Sequence, residues 1–250
     1  MNLELWCDIS QWQNGYPPAS IDFVKMRDAG AIGVVIRKSV TLAHDAMFEP
    51  NWQDAGDAGL KRSIYWVPSI MLDAEAQKKV ASEWPSGGPF EDQLDIPAWI
   101  DVELKSRLVL PEATRRILSL MQWSKERFGG TDVYTAPSVW NDFYSNRPGW
   151  DSDWDLIVAN YRPALYTKPI LELRSMIASA VIQPSLPIGW KTWRQWQISA
   201  DGNGLGAAFG VHSSAIDISF RKIDAANPGV DPDAIIDEIV ALLTRLRAVV

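Results

Sequence analysis

Residues 98–130 read AWIDVELKSRLVLPEATRRILSLMQWSKERFGG. The opening run, with Trp99, Ile100, Val102 and Leu104, has the apolar character of a buried strand. The residues after it take helical spacing, with Pro111 at a first-turn position and a glycine pair at the stop. A strand leading into a helix is one β/α unit, and the pattern recurs on both sides of it. Upstream, LELWCDIS at 3–10 leads into SIDFVKMRDAG, where Ser20 is the expected N-cap and Gly30 the stop. AIGVVIRKS at 31–39 precedes the helical EPNWQDAGDAG, and SIYWVPS at 63–69 precedes DAEAQKKVASEW. Downstream, TDVYTAP at 131–137 is a fifth strand. Alternation of this kind predicts a parallel sheet of β/α units.

The second half is different. DWDLIVANY at 153–161, WRQWQIS at 193–199 and AIDISF at 215–220 read as strands, separated by loops and one ambiguous apolar segment at 170–188. The end, 232–250, reads as an amphipathic helix with an acidic start and arginines near its finish. Eight strands, with helices mainly between the first five, are most economically closed into a distorted TIM-like α/β barrel. No internal repeat or linker separates a second domain, so 1–250 is read as one barrel domain.

Composition narrows the function. A formal net charge of −7 gives no basic face for nucleic acid. The single cysteine, Cys7, allows neither an internal disulfide nor a multi-cysteine metal site. MNLELWCDIS lacks the basic and apolar regions of a signal peptide, and no apolar run is long enough to enter a membrane. Tryptophan is abundant, at 13 residues. About two-thirds of these are expected to serve core or surface packing; the rest offer flat apolar faces of the kind that sugars stack on.

Carboxylates gather at the strand ends. Asp8 ends strand one, Asp101 and Glu103 end strand four, and Asp217 lies in strand eight. In a β/α barrel these ends share one mouth, and closure makes strands one and eight neighbours. A lone aspartate at a strand end is more often a cap or turn residue, but four around one mouth are harder to explain as caps. Clustered carboxylates without cysteine serve either hard-metal sites or glycosidic hydrolysis. The aromatics, and the lack of a glycine-rich phosphate loop, favour sugar. Asp101 and Glu103, two apart on a strand, stand roughly 6–7 Å apart along it. That spacing is wide for direct attack by a carboxylate. His44 and His212 fall outside the strand ends and are expected at the surface or on loops. Cys7, next to Asp8, should face the opposite way, into packing.

CDISQWQ at 7–13, DAGLKRSIYW at 57–66, WIDVE at 99–103, VYTAPSVW at 133–140, WQIS at 196–199 and AIDIS at 215–219 follow one another in an order that resembles the family 25 glycoside hydrolases, the Chalaropsis-type lysozymes. The likeness runs over roughly residues 5–220. It implies a distorted barrel and hydrolysis of the β-1,4 bond between N-acetylmuramic acid and N-acetylglucosamine in peptidoglycan, by a monomer that needs no cofactor. Such a protein would be a wall-degrading enzyme, for instance a phage endolysin or virion-associated lysin. By this resemblance Glu103 is the general acid, Asp101 its neighbour that stabilises charge or orients the acetamido group, and Asp8 and Asp217 the remaining acids. Tyr65, Trp66, Tyr134, Tyr161 and Trp196 correspond to sugar-contacting aromatics. The chain departs from the family after strand two, where RKSVTLAHD replaces an Ala-Thr-Glu-Gly-like segment, and after strand three, where Tyr65-Trp66-Val67-Pro68 replaces Tyr-His-Phe. Those departures keep open a second reading: a barrel that binds glycan without cleaving it, or cleaves a different one.

Overall fold

The computed structural model describes residues 1–83, 93–145, 149–165, 168–200 and 202–223. The expected 232–250 helix lies outside the described residues. Along the chain come β1 (Leu3–Ile9), α1 (Phe23–Asp28), β2 (Gly33–Val40), β3 (Ala43–His44), α2 (Phe48–Asp57), β4 (Lys61–Val67), α3 (Ala74–Ser82), β5 (Ala98–Asp101), α4 (Leu110–Arg127) and β6 (Thr131–Thr135). The second half adds α5 (Pro137–Phe143), α6 (Trp150–Asp153), β7 (Asp155–Ala159), α7 (Ile170–Ala178), β8 (Gln195–Ser199) and β9 (Asp217–Lys222). The ambiguous apolar segment is therefore partly α7, and the run expected as strand from 153 begins with the end of a helix. The cap of α1 is Asp22, whose carboxylate accepts from the Lys25 amide at 2.9 Å, rather than Ser20.

The strands lie in the order β1-β9-β8-β7-β6-β5-β4-β2, and a parallel β1–β2 pairing from Trp6↔Gly33 to Ile9↔Ile36 closes the ring. The two-residue β3 is an antiparallel addition to the end of β2. The expected all-parallel barrel needs one correction: β9 runs antiparallel to both β8 and β1. The connection from β8 stays on the mouth side, through a 3-10 turn at Gly202–Phe209, so the chain re-enters the barrel from the top. Asp217 is thus the first residue of its strand, not one near its end, and the reversed direction is what brings it to the mouth beside its partner Asp8.

Strand periodicity sorts the side chains into two layers. Outward residues, among them Cys7, Val34, Ile36, Ile64, Trp66, Ile100, Val133, Trp196 and Phe220, join the large apolar layer under the helices. Inward residues Trp6, Val35, Trp99, Tyr134, Ile157 and Ala159 make a separate small cluster inside the barrel. Cys7 packs as expected, and burial pushes its thiol well up. Below the inner cluster, Gly33 faces the Trp6 indole so closely that a Cβ there would come within 2.5 Å of the ring. Farther round, Arg221 Nη1 donates to Asp132 Oδ2 at 2.9 Å. Burial still holds the Asp132 carboxyl up, at about 6, because desolvation outweighs the guanidinium.

Candidate active site

Above the inner cluster the barrel opens into a cavity of about 270 Å³, lined by Asp8, Tyr65, Trp99, Asp101, Glu103, Tyr134, Tyr161, Gln197, Ala200 and Asp217. Each lining side chain comes from an inward position. Asp101 ends β5, but Val102 keeps the chain extended: its amide donates to Tyr134 O and its carbonyl accepts from Thr135 Oγ1, both at 2.8 Å. Glu103 therefore comes two residues on, on the same face as Asp101. All four expected acids meet in this cavity.

Their environment disfavours charge. Burial raises the Asp101 carboxyl well above its usual range, Glu103 and Asp8 raise it further, and Arg37 opposes them. Asp101 Oδ1 is buried with no hydrogen-bond partner among the described residues, which favours the protonated form. Burial raises Glu103 too. Asp8 is pushed up to about 7, by burial first and by Glu103, against the hydrogen bonds that it makes with Gln197 and Asp217. The four acids thus hold fewer than four charges near neutral pH, and Asp8, Asp101 and Glu103 titrate together.

Three of the five expected aromatics line the cavity. Tyr134 stacks parallel to Trp99, with ring centroids 6.0 Å apart and planes 3° from parallel. Tyr161 and Tyr134 both direct their hydroxyls at Gln197. Burial raises the hydroxyls of Tyr65, Tyr134 and Tyr161, so all three are neutral donors.

The other two are elsewhere. Trp66 succeeds the inward Tyr65 by one residue and so faces outward, where its Nε1 donates to Ser124 Oγ at 3.1 Å and its ring meets Trp123 edge-on at 5.3 Å. Trp196, one before the inward Gln197, likewise faces outward, its Nε1 donating to Asn160 O at 2.9 Å. Both are buried. Trp66→Ala is expected to cost about 3–5 kcal/mol of stability while leaving KM of the folded protein unchanged, as urea unfolding and steady-state kinetics would show.

Trp99, Gln197 and Ala200 line the cavity without having been read from the sequence, and Arg37 supports it from the side. Trp99 was findable, since it lies two before Asp101 and shares its face. Gln197 carried a fainter signal, a polar residue inside an apolar strand. Arg37, in register with Tyr65, donates Nε to Asp45 Oδ2 at 2.8 Å. The Asp45 carboxylate also accepts from the amides of Gln11 and Met47, each at 3.0 Å. His44 and His212 stand away from the cavity; the ring of His212 bonds Ser20 O at 2.8 Å. Among the described residues no group of three or more His, Cys, Asp or Glu is placed to hold a metal ion. None of the described helices is long and apolar enough to cross a membrane.

The sequence profile described as glycosyl hydrolases family 25 matches residues 7–207. The chain belongs to that family. Solved lysozyme folds agree. A lysozyme of Streptomyces coelicolor superimposes with a TM-score of 0.68 at 22% identity, over 89% of this chain and 94% of that one. A family GH25 lysozyme of Aspergillus fumigatus gives 0.63 at 18% identity, over 90% and 96%. The Escherichia coli protein YegX is 25% identical over 159 residues, 62% of this chain and 55% of YegX. The chain thus spans just over half the length of the curated relatives it matches. Membership of family 25 bears out both the resemblance read from the motifs and the distorted barrel that it implied.

Proposed function

We propose that this family 25 glycosyl hydrolase cleaves peptidoglycan glycan strands at the β-1,4 bond between N-acetylmuramic acid and N-acetylglucosamine. The observation that carries the reading is the meeting of Asp8, Asp101, Glu103 and Asp217 in one aromatic-lined cavity. The lysozymes of similar fold support the substrate class.

In this mechanism Glu103 is the general acid. It lies at the rim, less buried than Asp101, and burial favours its protonated form. It gives that proton to the glycosidic oxygen as the bond to the anomeric carbon breaks, and the leaving sugar departs as an alcohol. The positive charge that grows on the remaining sugar is stabilised by whichever neighbouring carboxylates are ionised. Water then supplies a hydroxyl to the anomeric carbon and a proton to the acid group, restoring it. The planar Trp99–Tyr134 stack borders the space where the sugar ring sits.

The test is release of soluble fragments from purified sacculi, with co-sedimentation measured in parallel. A hydrolase solubilises the wall in proportion to time and enzyme. A protein that sediments with sacculi and releases nothing is a glycan-binding barrel, and the proposal fails.

A further inference from the structure

Gln197 is buried at the centre of β8, and its carboxamide is used at both ends. Its Nε2 bridges the Asp8 carboxylate, at 3.1 Å to Oδ1 and 2.9 Å to Oδ2. Its Oε1 accepts from the hydroxyls of Tyr134 and Tyr161, each at 2.7 Å. Chemistry fixes this orientation. Turned over, the carboxamide would set a carbonyl oxygen against two carboxylate oxygens, and each tyrosine would have to give up donating.

We infer that Gln197 is a positioning residue of the acidic site: it favours the charged form of Asp8 and takes up the hydroxyl protons of Tyr134 and Tyr161. The inference rests on the hydrolytic reading above and deepens it. A tyrosine has one proton, and here both are spent on Gln197 Oε1, whose two lone pairs are then filled. The tyrosines therefore present only oxygen lone pairs to a ligand. The Trp99 indole N–H is buried. Among the lining side chains, the protons left to give belong to the carboxyl groups and to the Tyr65 hydroxyl. Gln197 thus removes Tyr134 and Tyr161 as competing acids. It also makes its own side of the cavity wall a set of acceptors, suited to a sugar that offers its own N–H and O–H groups.

The charge balance around Asp8 makes this role measurable. From β9 it faces Asp217, from the end of β5 Asp101 and Glu103, from β4 Tyr65, and from β6 and the end of β7 Tyr134 and Tyr161; Arg37 on β2 acts on Asp101 and Tyr65. Against burial and the Glu103 charge, the Gln197 amide favours ionised Asp8. Removing two contacts to one carboxylate should be visible in its titration.

The experiment tracks the carboxyl carbon of Asp8 by NMR through pH 4–9, in protein labelled with 13C-aspartate and assigned with Asp8→Asn. In Gln197→Met the midpoint is expected to rise by about one pH unit or more. Gln197→Glu covers the case in which the apolar variant fails to fold. Near pH 5 its protonated carboxyl keeps one donor for Asp8 and a carbonyl for the tyrosines. Its rate on sacculi is then expected to fall at least about tenfold between pH 5 and 7 relative to wild type, as a second charge forms beside Asp8. A purely structural role predicts no such pH-dependent loss. An unmoved Asp8 midpoint in folded Gln197→Met, or a Gln197→Glu profile parallel to wild type, overturns the inference. The two readings fail separately: a wild type that hydrolyses nothing sinks the hydrolytic reading, while the Asp8 titration still decides the role of Gln197.

Discussion

Glu103→Gln is expected to lower the rate of glycan cleavage by roughly 10²–10⁴-fold with little change in binding to sacculi. Glutamine keeps the size and polarity of the side chain but has no proton to transfer. Without that proton the sugar must leave as an alkoxide, which is a poor leaving group at neutral pH. The same variant is expected to lose far less on an aryl glycoside, whose phenolate leaves without protonation. Comparing the two substrates separates proton donation from general damage to the site. Equal losses on both would mean that Glu103 shapes the cavity rather than donating to the leaving oxygen.

The second large effect is on stability, and burial sets its sign. Asp8 moves from the ordinary 3.8 to about 7 on folding. Between those values the folded chain binds more protons than the unfolded one, so the contribution of Asp8 is fully present below about pH 4 and is lost as pH rises through about 7. The difference corresponds to stability on the order of 4 kcal/mol. Asp101 and Glu103, raised in the same direction, add to the loss. Asp8→Asn removes one titrating group, so its unfolding free energy should gain on wild type steadily from pH 4 to pH 8. Urea unfolding of the two proteins at a series of pH values measures this. Parallel curves would mean that Asp8 titrates normally, in an environment more polar than its burial indicates.

Together these effects describe a site that works against the stability of its own scaffold. Carboxyls are held in a low-dielectric cavity where their charges are unwelcome. Arg37, anchored by Asp45, and the hydrogen bonds of Asp8 with Gln197 and Asp217 restrain the upward push.

The barrel was legible in the sequence because its first five strands alternate with helices that carry recognisable starts and stops. Strand direction was not. Nothing in AIDISF distinguishes a parallel strand from an antiparallel one, so Asp217 was placed at the mouth for the wrong reason: it was assigned to a strand end and in fact begins β9. The four acids were legible because Asp-x-Glu keeps both side chains on one face whatever the direction. The aromatics were half legible. Trp66 and Trp196 came from motif position alone, and their parity with Tyr65 and Gln197 would have turned both outward. The same parity also marks Trp99, two residues before Asp101. Gln197 owes its importance to contacts with β1, β6 and the end of β7, between residues up to 189 positions apart. No local pattern encodes those contacts.

The measurement that bears most directly on the central claim is the identity of the new chain end. Peptidoglycan digested with the wild-type protein is reduced with borohydride, and the fragments are weighed by mass spectrometry. Cleavage as proposed puts the reduced form of N-acetylmuramic acid at every new end, in amounts that track the soluble material released. Fragments ending in reduced N-acetylglucosamine, or soluble material with no new reducing end, would contradict the account.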